Sequence, residues 1–228
     1  MKPLLKVMFV LALFFFSTFV VLKSTGVLSV ERIRGWFEAA EQASPWAVGM
    51  VVGGLLFADL FVAVPTLTVM ILGGYFLGAF YGATAAVVGI LLAGLCGFGL
   101  SRVYGDRLLN FLIKDEEKRA EATEVFRAHG AGVILLSRAV PILPEVSACM
   151  AGMTGMPFGK FLILWLVSAV PYAAIATYAG SVSSLENPKP AILAAIGLSA
   201  FFWFGWMVFR KRTRAADAAL AEEGSAVG

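Results

Sequence analysis

The chain has 228 residues, of which 60% are apolar and 14% charged, and its mean hydropathy is +0.86. Soluble domains carry roughly 25% charged residues, so this composition excludes a free soluble domain, and its high apolar content excludes a disordered chain. The net charge of +3 is small and gives no indication of a nucleic-acid partner.

Cysteine and histidine are too scarce to build a metal or catalytic site. Cys96 and Cys149 both lie in apolar stretches, which favours two buried thiols over a disulfide. His129 is the only histidine, so neither a zinc or haem site nor a histidine-dependent catalytic set is predicted. We therefore expect no metal, no cofactor and no enzymatic activity.

The N-terminal unit, residues 1–45, contains two predicted helices. Val7 to Leu22 is an unbroken apolar run with no small-residue cleavage site after it, which predicts an uncleaved membrane helix. A cleaved signal peptide is the alternative. Residues 29–43 place apolar side chains at helical spacing opposite charged ones, which predicts an amphipathic helix in the membrane interface.

The core, residues 46–185, begins with an apolar stretch too long for one crossing. From Pro65 to Ser101 no residue is charged over 37 residues, whereas one crossing takes about 20. We divide it into a re-entrant hairpin at about 46–82, broken near Pro65, and a transmembrane helix over 83–102. Broken helices at membrane depth are tolerated where protein or a watery cavity covers the freed backbone groups.

The second half of the core repeats this plan. A charge-rich cytoplasmic amphipathic segment is predicted over 103–130, and a second re-entrant hairpin over about 131–157. Pro141 and Pro144 exclude a continuous helix in that hairpin. A transmembrane helix over 158–185 follows, and residues 186–228 form the last transmembrane helix and a basic cytoplasmic tail.

The distribution of basic residues predicts the orientation. With a cytoplasmic N-terminus and two hairpins that return to the side they came from, twelve Lys and Arg residues face the cytoplasm and four face outward. This asymmetry agrees with the positive-inside rule. It predicts that both termini are cytoplasmic.

The two broken segments form an internal repeat. Val64-Pro65-Thr66-Leu67 corresponds to Val140-Pro141-Ile142-Leu143, and glycines follow each motif. The predicted hairpin breaks are Pro65, Gly74, Pro141, Pro144 and Gly152. Since the two units enter the membrane from opposite faces, the repeat is inverted, a pattern typical of a transport site near the membrane midplane.

Three ionisable residues lie well inside apolar surroundings: Asp59, Arg138 and Glu145. Charges in such places usually mark a pathway or a proton relay. Arg138 keeps its proton and needs an anionic partner, so it is predicted to hold a phosphate or carboxylate. Asp59 or Glu145 would accept and release a proton. The alternative is that Arg138 only pairs with one of them to close the hairpins.

The second unit resembles the SNARE-associated or VTT-domain family, of which the bacterial DedA proteins are one branch. Its matching residues are Arg138-Ala-Val-Pro141-Ile-Leu-Pro144, Gly152, Phe161, Pro171 and Tyr178-Ala-Gly180. In the first unit they are Pro65, Gly73-Gly74, Phe76, Gly78 and Gly82, followed by Tyr104-Gly105. The resemblance covers roughly residues 46 to 182. At Leu67 and Pro144 the chain departs from the DedA branch, which carries an acidic residue and a second arginine there, and it is closer to the VTT branch.

The resemblance implies an all-α integral membrane protein in which two re-entrant helical hairpins face each other as an inverted repeat. Each hairpin is followed by a transmembrane helix, and further transmembrane helices flank this core. Members of the family are associated with moving lipids between leaflets. DedA-type proteins are linked to recycling of undecaprenyl phosphate, and eukaryotic relatives to phospholipid scrambling. Some members are linked to resistance that depends on the proton motive force.

We therefore expect a lipid translocase of the bacterial inner membrane that moves phospholipid or polyprenyl phosphate through a groove between the hairpins. Its partners would be membrane lipids, with protons as a candidate coupling ion and no nucleic acid. Whether it forms a homo-oligomer stays open. The alternative is a proton-coupled small-solute or cation transporter that uses Asp59 and Glu145.

Overall fold

The structure is a computed structural model that describes residues 2–24, 29–62, 64–112, 115–140, 142–184 and 187–226. Within these ranges the chain forms helices and connecting turns and contains no strand. This confirms the all-α fold class. The predicted break at Pro141 and the predicted segment end at residue 185 lie outside the described residues.

The described part of the chain forms eight α-helices and one short 3-10 turn. The helices are α1 (Lys2–Ser24), α2 (Val30–Ala43), α3 (Pro45–Ala58), α4 (Thr66–Leu112), α5 (Glu116–Leu136), α6 (Leu143–Met153), α7 (Phe158–Ser181) and α8 (Lys189–Ala226). The 3-10 turn, Ser137–Ala139, lies between α5 and α6.

Several described helices are long and apolar enough to cross a membrane. These stretches are Thr66–Gly105 of α4, Phe158–Ser181 of α7 and Lys189–Lys211 of α8. Shorter apolar stretches occupy Val7–Thr18 of α1 and Pro45–Ala58 of α3. The chain is a multi-pass membrane protein, and the crossing of the membrane by α1 stays a prediction.

Helix α2 is the predicted amphipathic helix. The Ser29 side chain caps it by accepting a hydrogen bond of 3.3 Å from the backbone N–H of Arg32. Ile33 and Phe37 on one face are fully buried, whereas Trp36 is 39% exposed. An exposed tryptophan beside a buried apolar face suits the headgroup level of a membrane.

Helix α4 reverses direction at Gly78, where φ is +77°. This left-handed conformation favours glycine because it has no Cβ. Beyond the reversal, a Cβ on Gly82 would lie 2.7 Å from the carbonyl oxygen of Gly73. Nine residues of straight helix would separate the two positions by about 13 Å. Residues 66–77 therefore fold back against residues 79–112.

Helix α3 and residues 66–77 form the first helical hairpin. A Cβ on Gly73 would lie 3.0 Å from a methyl group of Val52, so the two arms are in direct contact. Helix α3 also runs alongside residues 79–112 in the same direction, because Gly53 adjoins Gly89 and Leu60 adjoins Gly97. The described part of the loop of this hairpin, residues 59–62 and 64–65, lies beside the middle of the long arm of α4.

The C-terminal half of α5 and helix α6 form the second hairpin, whose loop is described at residues 137–140 and 142. At the end opposite the loop, a hydrogen bond of 3.3 Å from Arg127 to the Thr154 carbonyl links the two arms. Helix α6 runs in the same direction as residues 79–112, because Gly97 adjoins Ala148 and Gly105 adjoins Met153. The arm parallel to residues 79–112 is the first arm, α3, in the first hairpin and the second arm, α6, in the second hairpin. The two hairpins are therefore inverted relative to each other. Re-entrant insertion of either hairpin into a bilayer stays a prediction.

Two of the predicted breaks are wrong. Gly74 lies inside α4 and Gly152 lies inside α6, and the chain reverses instead at Gly78 and at Gly155, both of which have positive φ. Gly74 and Gly152 serve close packing. A Cβ on Gly74 would overlap the Thr177 carbonyl, and one on Gly152 would overlap the Phe98 carbonyl. Small residues at such crossings are how membrane helices approach one another closely.

The helices between the hairpins also extend further than their predicted segments. Helix α4 continues past residue 102 to Leu112, and α5 is continuous from Glu116 to Leu136. The first arm of the second hairpin is thus an extension of the charge-rich helix. Asp115 begins that helix by accepting hydrogen bonds from the backbone N–H groups of Glu117 and Lys118.

The crossing at Gly74 predicts a stability effect. Gly74→Ala would force α4 away from α7, because backbone atoms in a helix cannot yield as a side chain can, and we expect a loss of about 1–3 kcal/mol. The melting temperature of the purified protein in detergent measures this. Gly54→Ala is the control, since nothing lies within 4 Å of a Cβ there. Equal melting temperatures for the two variants would contradict the assigned packing.

Candidate functional site

Asp59 closes the loop of the first hairpin. It caps the C-terminus of α3, and its Oδ1 accepts a hydrogen bond of 2.7 Å from the buried backbone N–H of Val64. The side chain bonds across five residues and is itself buried. Pro65 follows this bond and contributes no N–H of its own. The Asp59 carboxylate therefore satisfies a donor that the helix break leaves without a helical partner.

The second hairpin brings Arg138, from its loop, and Glu145, from the start of α6, to one place. Arg138 lies in the 3-10 turn, and Glu145 lies in the first turn of α6 with Pro144 before it. Ile142 between them has a φ of +72°, a conformation that costs a β-branched residue roughly 1–2 kcal/mol. This sharp turn starts α6 directly after the loop.

The loops of the two hairpins border a single cavity of about 520 Å³. The first loop contributes Asp59, Val64 and Pro65, the second loop contributes Arg138, and the start of α6 contributes Pro144 and Glu145. The start of α4 also lines the cavity, as do single side chains of α1, α7 and α8, namely Phe16, Tyr172 and Ser199. The structure thus brings together all three of the charged residues singled out in the sequence.

The two carboxyl groups of the cavity are direct neighbours. The carboxyl of Glu145 lies within hydrogen-bonding reach of the carboxyl of Asp59, and both carboxyls interact with the charge of Arg138. Two carboxylates cannot hydrogen-bond to each other unless one of them carries a proton. This pair is therefore suited to holding one proton between its two members.

Arg138 presents an unused hydrogen-bonding edge. Its Nε and Nη2 atoms are buried, and neither has a hydrogen-bond partner among the residues that the structure describes. These two nitrogens lie on the same edge of the guanidinium, where parallel N–H groups bind a carboxylate or phosphate in bidentate fashion. Buried donors of this kind are rarely left without a partner in native proteins. An ion pair of Arg138 with Asp59 or Glu145 that only closes the hairpins therefore does not occupy this edge.

Two aromatic rings of α7 hold the guanidinium in place. Its central carbon lies 5.0 Å from the centroid of the Trp165 ring and 5.9 Å from that of Tyr172. Trp165 is itself fixed, because its indole N–H donates a hydrogen bond of 3.1 Å to the Ile90 carbonyl. A desolvated contact between a cation and an aromatic face contributes about 2 kcal/mol. The rings stabilise the charge without neutralising it.

Sequence reasoning missed this pair of rings. Trp165 and Tyr172 are seven residues apart, which places them two turns apart on one helix face, but the same spacing is typical of simple packing. Only the fold shows that this face meets Arg138. Of the predicted breaks, Pro65 and Pro144 border the cavity, whereas Gly74 and Gly152 do not.

Comparison with known proteins yields one family and two relatives. A family model of the VTT domain matches residues 64–182. An uncharacterised membrane protein of Synechocystis sp. is 31% identical over 160 residues, which are 64% of this chain and 73% of the relative. Undecaprenyl phosphate transporter A of Bacillus subtilis is 22% identical over 191 residues, which are 74% of this chain and 92% of the relative. No solved structure matches the chain.

The hydrogen bond from Val64 to Asp59 predicts different effects for two substitutions. Asp59→Asn keeps an oxygen that can accept the bond, so we expect a melting temperature near that of the wild type. Asp59→Ala leaves a buried N–H without a partner, and we expect a loss of about 1–3 kcal/mol. Thermal unfolding of the purified variants in detergent compares them. If both variants lose the same stability, the charge of Asp59 and not its hydrogen bond supports the loop.

Proposed function

Since the chain belongs to the VTT domain family, we propose that it is a membrane lipid translocase, which moves a phospholipid or polyprenyl phosphate between leaflets through a groove between its two hairpins. One observation carries this proposal: Arg138 borders the cavity between the loops and has a buried, unpartnered donor edge. A lipid phosphate is the anion that a membrane supplies to such an edge.

The chemistry of Arg138 favours a phosphate over a neutral ligand. A guanidinium stays charged in any protein environment, and its planar fork matches two oxygens of a phosphate. The cavity of about 520 Å³ is large enough for a headgroup. The acyl or prenyl tail would stay in the surrounding lipid. The relative named as an undecaprenyl phosphate transporter supports polyprenyl phosphate as one candidate substrate.

Charge balance links anion binding to protons. With Asp59 and Glu145 both ionised, the two carboxylates and Arg138 leave one net negative charge, which repels a phosphate. One proton on the pair makes the site neutral, and a second makes it positive. We propose that Asp59 or Glu145 takes up a proton when the phosphate binds and releases it when the phosphate leaves.

The arrangement of the helices supports hairpins that re-enter the membrane from opposite faces. Helix α3 has 14 residues, or about 21 Å at 1.5 Å per residue, which is shorter than a hydrocarbon core of about 30 Å. Two such half-crossings would place both loops near the midplane, where each leaflet can reach the cavity. We propose that the protein lies in a bacterial inner membrane with both termini in the cytoplasm.

A second candidate function is favoured by the carboxyl pair. Asp59 and Glu145 together offer a cation or small solute a site that exchanges with protons. In such a proton-coupled transporter, Arg138 would hold the carboxyls in place and would not touch the substrate. Substrate-driven proton flux separates this function from lipid movement.

Leaflet exchange in proteoliposomes tests the main proposal. We expect the wild type to move labelled phospholipid or labelled polyprenyl phosphate, and Arg138→Gln to do so at least tenfold more slowly. The loss of a charge-assisted hydrogen bond of about 1.5–3 kcal/mol gives this magnitude. Arg138→Lys should fall between the two, because it keeps the charge without the fork. Arg107→Gln, which removes an exposed arginine, is the matched control.

Two outcomes would count against lipid movement. If the wild type leaves both labelled lipids immobile, the proposal is wrong. If a cation drives proton flux that Asp59→Asn abolishes, while lipids stay in their leaflets, the second candidate function is the correct one.

Cysteine labelling tests the re-entrant hairpins. In a variant with Cys96 and Cys149 replaced by alanine, Trp46→Cys lies at the start of the first hairpin and Tyr81→Cys lies just past the reversal at Gly78 that ends it, both at exposed positions. We expect a membrane-impermeant maleimide to label both from the outer side. Ala128→Cys and Phe158→Cys near the second hairpin should label from the cytoplasmic side. Labelling of Trp46→Cys and Tyr81→Cys from opposite sides would show a complete crossing and overturn this topology.

A further inference from the structure

Two arginines from different helices meet over the turn between α6 and α7. Arg102 of α4 donates a hydrogen bond of 3.1 Å from Nη1 to the Met156 carbonyl. Arg127 of α5 donates one of 3.3 Å from Nε to the Thr154 carbonyl. Both arginines are exposed, and neither they nor the residues of this turn line the cavity beside Arg138.

Gly155, at the centre of this turn, brings the two guanidinium groups to one point. Its φ is +73°, and a Cβ built on it would lie 3.6 Å from Nη1 of Arg102 and 3.7 Å from Nη2 of Arg127. The absence of a side chain leaves this position open. One donor nitrogen of each arginine therefore lies within 4 Å of this position.

The charge of this pair is not balanced by the neighbouring chain. Within the described ranges, the hydrogen bonds of both guanidinium groups go to backbone carbonyls, and no carboxylate forms an ion pair with either. Each bond uses one of five N–H donors, so most donors stay available. Two adjacent cations without an anion repel each other, and a bound anion would reverse this cost.

A purely structural role explains only part of the arrangement. A cation near the C-terminus of α6 interacts favourably with the free carbonyls and the helix dipole there. One arginine would supply that effect, whereas a second adds repulsion between like charges. The convergence on Gly155 therefore needs a further reason.

We propose that Arg102 and Arg127 form a second anion site, separate from Arg138, that binds a phosphate group at the membrane surface. Arg102 lies three residues before the end of the apolar stretch Thr66–Gly105, which places the pair where that stretch meets the headgroup layer. The phosphate group can come from a lipid headgroup or from free phosphate. This site follows from its own geometry and does not depend on lipid movement through the cavity.

Binding measurements on the full chain test the proposal. All variants are made in a protein that already carries Arg138→Gln, so that Arg138 cannot bind the titrant in the cavity. The result then does not depend on whether the translocase proposal is correct. The purified protein is titrated in detergent with inorganic phosphate and, separately, with short-chain phosphatidylglycerol. We expect Arg102→Gln with Arg127→Gln to lower the affinity at least tenfold, and Arg107→Gln to change it less than twofold.

The two titrations distinguish the sources of the phosphate group. A loss for both titrants supports a site for the phosphate group itself, and a loss for the lipid alone supports a headgroup site. Unchanged affinity in the double variant, or no binding by the background protein, overturns the proposal. A lower melting temperature with unchanged affinity would show that the arginines only hold the turn. If the variant with both glutamines does not fold, Arg127→Gln alone replaces it. We then expect the affinity to fall about threefold, and the outcomes are interpreted in the same way.

Discussion

A guanidinium buried in an apolar bundle is the constraint on which the rest of this structure depends. Arg138 cannot discharge itself, so the fold must surround it with groups that tolerate a cation. It does so with two aromatic faces on one side and two carboxyls nearby, while one donor edge stays without a partner. The cavity lies where the loop of the first hairpin meets the loop and the first helical turn of the second.

The inverted arrangement of the hairpins follows from glycines at two kinds of position. Gly78 and Gly155 have positive φ and reverse the chain, whereas Gly74 and Gly152 allow helices to touch backbone to backbone. The reversals turn the chain from each hairpin into the long helix that follows it, and the close contacts hold the first hairpin against α7 and the second against α4. Together they bring two loops that are about 78 residues apart in the chain to the same cavity.

The sequence predicts the charged centre better than the path of the chain around it. Asp59, Arg138 and Glu145 stand out because charge is costly in apolar surroundings, and that cost depends on composition alone. A glycine in a helix and a glycine at a reversal look alike in sequence, so Gly74 and Gly152 are mistaken for breaks. Trp165 and Tyr172 are not identified from the sequence, because their role depends on the packing of α7 against Arg138.

The hydrogen bond between Val64 and Asp59 makes the shape of the first hairpin's loop depend on the protonation of a carboxyl group. The carboxyl that accepts the Val64 N–H also lies beside Glu145. Any occupant that alters the ionisation of this carboxyl also alters the strength of the bond that shapes the loop. Reciprocity between linked equilibria then requires the converse: a loop held in another shape has a different proton affinity. The shape of this loop and the proton affinity of Asp59 are therefore thermodynamically coupled.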